Sequence, residues 1–293
     1  MIEVNNLTKV YNTKKGIFNV DFKVRDGEIF GFLGPNGAGK TTTIRQLLGF
    51  TNATEGNCII NGMDARKHAA TIQKDLGYLP GEIAFFDHMS GDEFLSFISE
   101  LRGLKTPPRK QELIDEFELE TNRKIRKMSK GMKQKLALVA SMMHDPMILI
   151  LDEPTSGLDP LMQKRFIELI LREKKRGKTI LMSSHLFEEV EKTCDRVAII
   201  KDGKIVTIET IQNLKSQVRK SYQVGVHDET DAMTIQSSGL EYSQINPLLY
   251  EIVIKDDYSK MLKVLSSIHV TELTSPEQSL EQIFISFYGK VGE

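Results

Sequence analysis

The sequence predicts an α/β protein built on a largely parallel sheet, and three observations predict it. Strand-like and helix-like stretches alternate from residue 17 to about residue 208, as they do where helical crossovers join parallel strands. Met147 to Leu151 (MILIL) is a continuous apolar run, expected of a strand buried on both faces. A glycine-rich loop at 34–41 stands at the end of one strand, immediately before a helix.

The first 35 residues read as strands. Phe18, Val20, Phe22 and Val24 alternate along Ile17 to Val24, which predicts a strand with one buried face. Asp26-Gly27 turns it into a second strand, Glu28 to Gly34. A helix is expected from Lys40 to Phe50, then a strand from Cys58 to Asn61 closed by Gly62. Next come a helix over 66–76 and a short strand, Leu76 to Leu79, ended by Pro80-Gly81. Residues 85–145 read as helical, broken at Thr106-Pro107-Pro108. Leu136, Val139, Ala140 and Met143 make one stripe of the last helix there. Helix 160–176 ends at Gly177, which suits the left-handed position after a helix. Strand Thr179 to Ser183 and helix 186–193 follow. A hairpin of Val197 to Ile200 and Lys204 to Ile208 turns at Asp202-Gly203.

Beyond a polar segment at 211–220 the expected order is strand 221–227, helix 230–237, strands 240–245 and 249–254, helix 257–267, strand 269–274 and helix 277–288. The first six have the order of a ferredoxin-like split βαβ. Two domains are therefore expected: 1–210, with a helical subdomain at about 85–145, and an accessory α+β domain at 211–293.

The chain has 293 residues, 40% hydrophobic and 27% charged, which is ordinary for a soluble globular protein. A net charge of −1 argues against a broad phosphate-neutralising surface for nucleic acid. Cys58 and Cys194 lie far apart and outside any CxxC, so neither a disulfide framework nor a zinc site is expected, and a reducing cytoplasm is the default. No run of about 18 apolar residues occurs, so no segment is expected to span a membrane. The first residues, MIEVNNLTKVY, lack a secretory signal pattern. Work at a membrane would need another chain as anchor.

Gly34-Pro35-Asn36-Gly37-Ala38-Gly39-Lys40-Thr41 matches G-x-x-x-x-G-K-[ST] between a strand and a helix, the context that motif needs. Glycines let backbone N–H groups close round a phosphate, and the helix N-terminus adds positive potential. Lys40 is placed to reach the β- and γ-phosphates, and Thr41 to hold Mg²⁺. Asp152-Glu153, directly after the apolar strand, supplies a metal-holding carboxylate and a group to polarise attacking water. His185 follows another predicted strand, where open α/β sheets place ligands, and is a candidate γ-phosphate contact.

These residues, in this order, resemble the ATP-binding subunits of ABC transporters across about residues 1–210: Walker A at 34–41, a helical insertion, a signature at 128–132, Walker B at 147–153, a D-loop at Ser156-Gly157-Leu158-Asp159 and the switch histidine His185. The resemblance implies a P-loop NTPase fold of ABC type, with Tyr11 stacking on adenine and Thr42 and Asp159 joining the nucleotide site. The signature is usually LSGGQ and here reads MSKGM; Ser129 and Gly131 match, Lys130 and Met132 depart. In the family this helix binds the ATP held by the opposite subunit, and an N-cap serine with free helix N–H groups suits that task. The family also places Gln or Glu after a strand like Gly77 to Pro80. Here Gly81 stands there, leaving Glu82 as the candidate metal ligand. Ser279 to Phe284 resembles the accessory tail of exporter-type relatives; the stripe of Leu280, Ile283, Phe284 and Phe287 reads as intramolecular packing or a dimer contact.

The resemblance thus implies an ATPase using ATP and Mg²⁺ at the cytoplasmic face of the membrane. It would drive a separate permease, pair with a second copy or close relative, and export peptides, antimicrobials or lipids, with no nucleic acid involved. Two alternatives stand beside it. One is a soluble ABC ATPase acting on ribosomes or DNA, against which stand the single cassette and the lack of a long coiled coil between Lys40 and Ser129. The other is a poorly hydrolysing, nucleotide-gated regulator, motivated by the altered signature and by Gly81 in place of the Q-loop residue.

Overall fold

The computed structural model describes residues 1–11, 15–217, 220–254 and 258–275. The chain divides into two compact units, Met1–Ile211 and Gln212–Glu293. Along the first run β1 (Ile2–Val10), β2 (Gly16–Val24), β3 (Ile29–Leu33), α1 (Lys40–Leu47), β4 (Glu55–Ile60), β5 (Met63–Asp64), α2 (Ala69–Lys74), β6 (Leu76–Leu79), α3 (Gly91–Leu101), α4 (Lys110–Glu116), α5 (Lys130–Met142), β7 (Ile148–Asp152), α6 (Pro160–Lys175), β8 (Thr179–Ser184), α7 (Phe187–Thr193), β9 (Arg196–Lys201) and β10 (Lys204–Thr210), followed by α8 (Ile211–Gln217).

Among the described residues these strands form two sheets. One has the order β2-β1-β4-β5, antiparallel throughout; the other has the order β10-β9-β3-β8-β7-β6. In the second, β9, β3, β8, β7 and β6 run parallel and only the β9–β10 hairpin is antiparallel. Every residue of β3 and of β7 is buried, as their unbroken apolar runs require. Phe22 of β2 stacks on Phe30 of β3 at 5.2 Å and leans on Phe32 at 5.3 Å, within one continuous core that draws on both sheets.

Gln212–Glu293 contains β11 (Lys220–Val226), α9 (Glu229–Ser237), β12 (Glu241–Asn246), β13 (Leu249–Ile254), α10 (Ser259–Leu265) and β14 (Val270–Thr274). The sheet order is β12-β13-β11-β14, antiparallel between all neighbours. That is the order a ferredoxin-like split βαβ takes. Its core is Val224, Val226, Ala232, Ile235, Tyr250 and Ile252 with their neighbours.

Several boundaries differ from the sequence reading, each for a local reason. The helix from Lys40 stops at Leu47 because Gly49 takes φ +69. The helix expected over 66–76 shrinks to α2, since the Asp64 carboxylate accepts the Arg66 and Lys67 N–H groups and holds them in a turn. The polar segment after 210, given no element from the sequence, opens with α8. Residues 2–10 form β1, a full strand paired with both β2 and β4. The expected helix 277–288 and its apolar stripe lie outside the described residues. Gly177, at φ +85, takes the predicted left-handed position, and Asp202 and Gly203 have the two positive φ values of a primed hairpin turn.

A buried charge network ties the helical segment to the base of the parallel sheet. Glu173 of α6 accepts Arg109 at 2.7 Å and Lys178 at 2.6 Å; both Glu173 and Lys178 have side chains 1% exposed. Asp145 pairs with Lys178 and Arg176. Burial pushes the Glu173 carboxyl up, but the hydrogen bonds from Lys178 and Arg109 outweigh it and hold it below the ordinary carboxylate value. Glu173→Ala leaves two cations without their shared partner and should cost about 3 kcal/mol or more. The urea midpoint of the full chain should fall accordingly. A midpoint within experimental error of the native one would mean the network does not hold these parts together.

Candidate functional site

Strands β3, β8 and β7 are neighbours, and their carboxyl ends finish level. Leu33 pairs with Ser184, and Ser183 with Asp152. Each strand therefore delivers one segment to the same place: residues 34–41 after β3, Ser183 to His185 at the end of β8, and Asp152-Glu153 at the end of β7.

The loop after β3 is packed too tightly for side chains at two of its glycines. A Cβ on Gly34 would lie 2.5 Å from the Ile200 carbonyl oxygen, and one on Gly39, at φ +111, 2.5 Å from Ile17 Cγ2. The Gly34 N–H donates to the Ser184 carbonyl at 3.2 Å, while Ala38 N–H donates to the Pro35 carbonyl at 3.2 Å. Lys40 opens α1 and is 5% exposed. Its ammonium donates to the Gly34 carbonyl at 2.7 Å and the Pro35 carbonyl at 3.2 Å, and lies 3.3 Å from Glu153 Oε1. Beside it runs a cleft of about 230 Å³ lined by Tyr11, Asn36, Gly37, Thr41, Thr42 and Glu153, among others. Tyr11 is 41% exposed there.

Asp152 is fully buried and its two oxygens are divided between neighbouring segments. Oδ2 accepts the Thr41 hydroxyl at 2.8 Å, and Oδ1 accepts the Ser183 hydroxyl. Glu153 turns out of the strand at φ +50, a left-handed conformation that is strained for a residue with a side chain. Its N–H donates to the Ser183 carbonyl and hydroxyl, both at 3.2 Å, which holds the turn. The side chain then spans two partners: Oε1 faces Lys40, and Oε2 lies 3.1 Å from His185 Nδ1.

The structure thus brings the loop 34–42, Asp152, Glu153 and His185 together. It does not bring Ser129, Gly131, Asp159 or Glu82 to the cleft. Ser129 caps α5, accepting the Met132 N–H at 3.2 Å, and Asp159 caps α6, accepting the Met162 N–H at 3.0 Å. Gly131 presses on the Gly157 carbonyl, which a Cβ would approach to 2.8 Å. A Cβ on Gly81 would come 3.2 Å from Asp152 Oδ2, while Glu82 is exposed and makes no hydrogen bond or ion pair among the described residues. Sequence reasoning missed Ser183, visible only as the first serine of TILMSS. It also gave no role to Gln134, whose amide donates to the Pro154 carbonyl at 2.8 Å and so anchors the segment after Glu153.

The ABC transporter family model matches residues 17–156. The bacitracin transport ATP-binding protein of Bacillus licheniformis is 33% identical over 302 residues, covering 99% of this chain and 97% of its own length. The linearmycin resistance ATP-binding protein of Bacillus subtilis is 31% identical, with 99% of each chain covered. The chain belongs to the ABC transporter family, as an ATP-binding subunit. Among solved structures, the ATP-binding subunit of an ABC transporter superposes with a TM-score of 0.68 at 30% identity, over 74% of this chain and 92% of its own. An ATP-binding cassette solved as a dimer with ADP and Pi shares the fold, with a TM-score of 0.64 at 22% identity over 72% of this chain and 99% of its own. This ABC subunit binds ATP and is an ATPase.

Gly34→Ala in the ABC subunit should displace the loop that its backbone packing defines. ATP affinity, read with a fluorescent analogue, should fall about ten-fold or more, equivalent to about 1.4 kcal/mol. Native affinity would place the triphosphate away from this loop.

Proposed function

We propose that this ATPase drives a separate membrane permease from the cytoplasmic face, and that two copies, or one copy and a close relative, sandwich two Mg-ATP between them. The observation that carries the catalytic part is Glu153 held at once by Lys40 and His185, beside an Asp152 already tied to Thr41.

The residues fit the groups they would hold. Gly34 and Gly39 admit no side chain, and Gly37 faces open space, so the backbone of the loop can close round a phosphate. The Lys40 ammonium now rests on its own loop carbonyls, contacts that a phosphate oxygen can replace. Thr41 and Asp152 are hard oxygen donors in contact, as Mg²⁺ prefers. Among the described residues no group of three or more His, Cys, Asp or Glu converges on a metal, so phosphate oxygens would complete the shell. Glu82, next to the Gly81 that abuts Asp152, is the remaining donor on that side. When bound there, Mg²⁺ neutralises phosphate charge.

Glu153 then accepts the proton of the attacking water, Lys40 and the loop amides offset charge on the transferred group, and His185 orients Glu153 from its far oxygen. Tyr11 offers its exposed ring to the base. Ser129, Gly131 and Asp159 meet the ATP of the opposite subunit. Their absence from the lining of their own chain's cleft supports this, as does the serine cap at the N-terminus of α5.

A groove of about 600 Å³, with Phe50, Tyr78, Pro80, Phe85 and Leu101 among its walls, suits a short cytoplasmic segment of the permease. Pro80 precedes the glycine that touches Asp152, so an occupant there would press on the metal-binding carboxylate. Among the described residues no helix is long and apolar enough to cross a membrane, which fits attachment through a partner. The likeness to the bacitracin transport and linearmycin resistance proteins favours export of peptides, antimicrobials or lipids.

Glu153→Gln tests the catalytic core. Turnover should drop by about 10² to 10⁴, while ATP stays bound and the chain elutes as a dimer. Hydrolysis at the native rate would remove Glu153 from the chemistry.

A further inference from the structure

The segment Ser183-Ser184-His185 is the hub of the site. Its carbonyls hold Gly34 and Glu153, its first hydroxyl holds Asp152, and its histidine meets Glu153. Ser184 Oγ accepts the Leu186 N–H at 2.9 Å, which closes the turn carrying His185. Behind that turn stands Glu189 of α7, a carboxyl that the proposed mechanism does not use. It is 5% exposed. Its Oε2 accepts the Ser184 hydroxyl at 2.6 Å. Its Oε1 is buried without a well-formed hydrogen bond, although the Thr155 hydroxyl acts on the same carboxyl.

We propose that Glu189 is a positioning residue for hydrolysis: it fixes the turn that presents His185 to Glu153. The proposal rests on the reading of Glu153 and His185 as groups at the reacting phosphate. An apolar side chain at 189 would satisfy the same burial but would leave the buried Ser184 hydroxyl without this acceptor. The carboxyl instead places an unevenly satisfied charge under the hub, and Ser184 is its principal hydrogen-bond donor.

The arrangement also makes the hub responsive to pH. Burial pushes the Glu189 carboxyl up to about 7; Ser184 and Thr155 oppose this, and the charge on Glu153 adds to it. Among the described residues Cys194 also feels the Glu189 charge; burial pushes its thiol up to about 12, so it stays neutral. Above pH 7 the carboxylate accepts a hydrogen bond from the Ser184 hydroxyl across the 2.6 Å contact. Below it, the protonated acid donates to Ser184 Oγ, and the serine proton turns to the Leu186 carbonyl at 3.3 Å. The tie that holds the turn thus weakens as pH falls through about 7.

Steady-state ATPase assays of the full chain from pH 6 to 8.5 test this, with Glu189→Gln, Glu189→Ala and Glu153→Gln compared. Glu189→Gln keeps the shape and removes the charge. Its kcat at pH 8 should fall about ten-fold, short of the 10²-fold that ångström-scale misplacement costs, with KM for ATP within two-fold of native. At pH 6 the two should converge, because native Glu189 is then neutral as well. Glu189→Ala should be slower than native at both ends. Native kcat and pH profile in both Glu189 variants, with Glu153→Gln inactive, would overturn the proposal and leave the catalytic reading standing. An active Glu153→Gln would overturn that reading instead. If Glu189→Ala does not fold, the isosteric Glu189→Gln decides alone.

Discussion

Asp152 accepts one hydroxyl from Thr41, at the start of α1, and another from Ser183, at the end of β8. Those two bonds pin three chain segments to one point, and the rest of the site is arranged around them. They are possible only because the sheet order places β3, β8 and β7 side by side and parallel. A buried carboxylate must be hydrogen-bonded to be tolerated at all. The same bonds that satisfy Asp152 therefore set the spacing between the phosphate loop, the carboxylate pair and the His185 turn. Glu153, one residue on, is forced into a strained turn by its N–H bonds to Ser183, and that strain carries its carboxylate from the strand line into the cleft.

The same constraint explains what the chain lacks. The cleft is lined by residues that follow β1, β3 and β7, and none from the start of α5 is among them. The capped start of α5 is held elsewhere, with Gly131 lodged on Gly157 and Lys130 laid along that glycine. The departures from the usual signature at Met128, Lys130 and Met132 spare the small residue pressed on Gly157 and the capping serine. On the proposed reading, closing the cage needs a second chain, and motion of that second chain can be conveyed to a permease through the wall that ends at Pro80-Gly81. The buried pairing of Glu173 with Arg109 and Lys178 would keep the helical segment in step with the sheet.

Much of this was legible in the sequence because the signals were local. The MILIL run gave β7, the glycine spacing gave the loop, and Ser129 and Gly177 marked helix ends through their own backbone chemistry. The family resemblance then ordered the motifs. What escaped depended on distant partners. Residues 2–10 carry no clean alternation because β1 sits between β2 and β4 with irregular register. Ser183, Gln134 and Glu189 are ordinary polar residues until the sheet order sets them against Asp152, Pro154 and Ser184. The shortened α2 followed from an Asp64 turn that competed with the helix, and α8 formed in a stretch too polar to show a stripe.

The central claim is that no single chain completes the cage around the terminal phosphate. It is tested most directly by mixing two inactive variants, Lys40→Ala and Ser129→Arg, each of which disables both sites of its own dimer. In a mixed pair one site combines the intact loop of one chain with the intact signature of the other. Random pairing should then restore about a quarter of native ATPase activity. Mixtures as inactive as the separate variants, with mixed dimers demonstrably formed, would contradict the account, because a site built within one chain gains nothing from its neighbour.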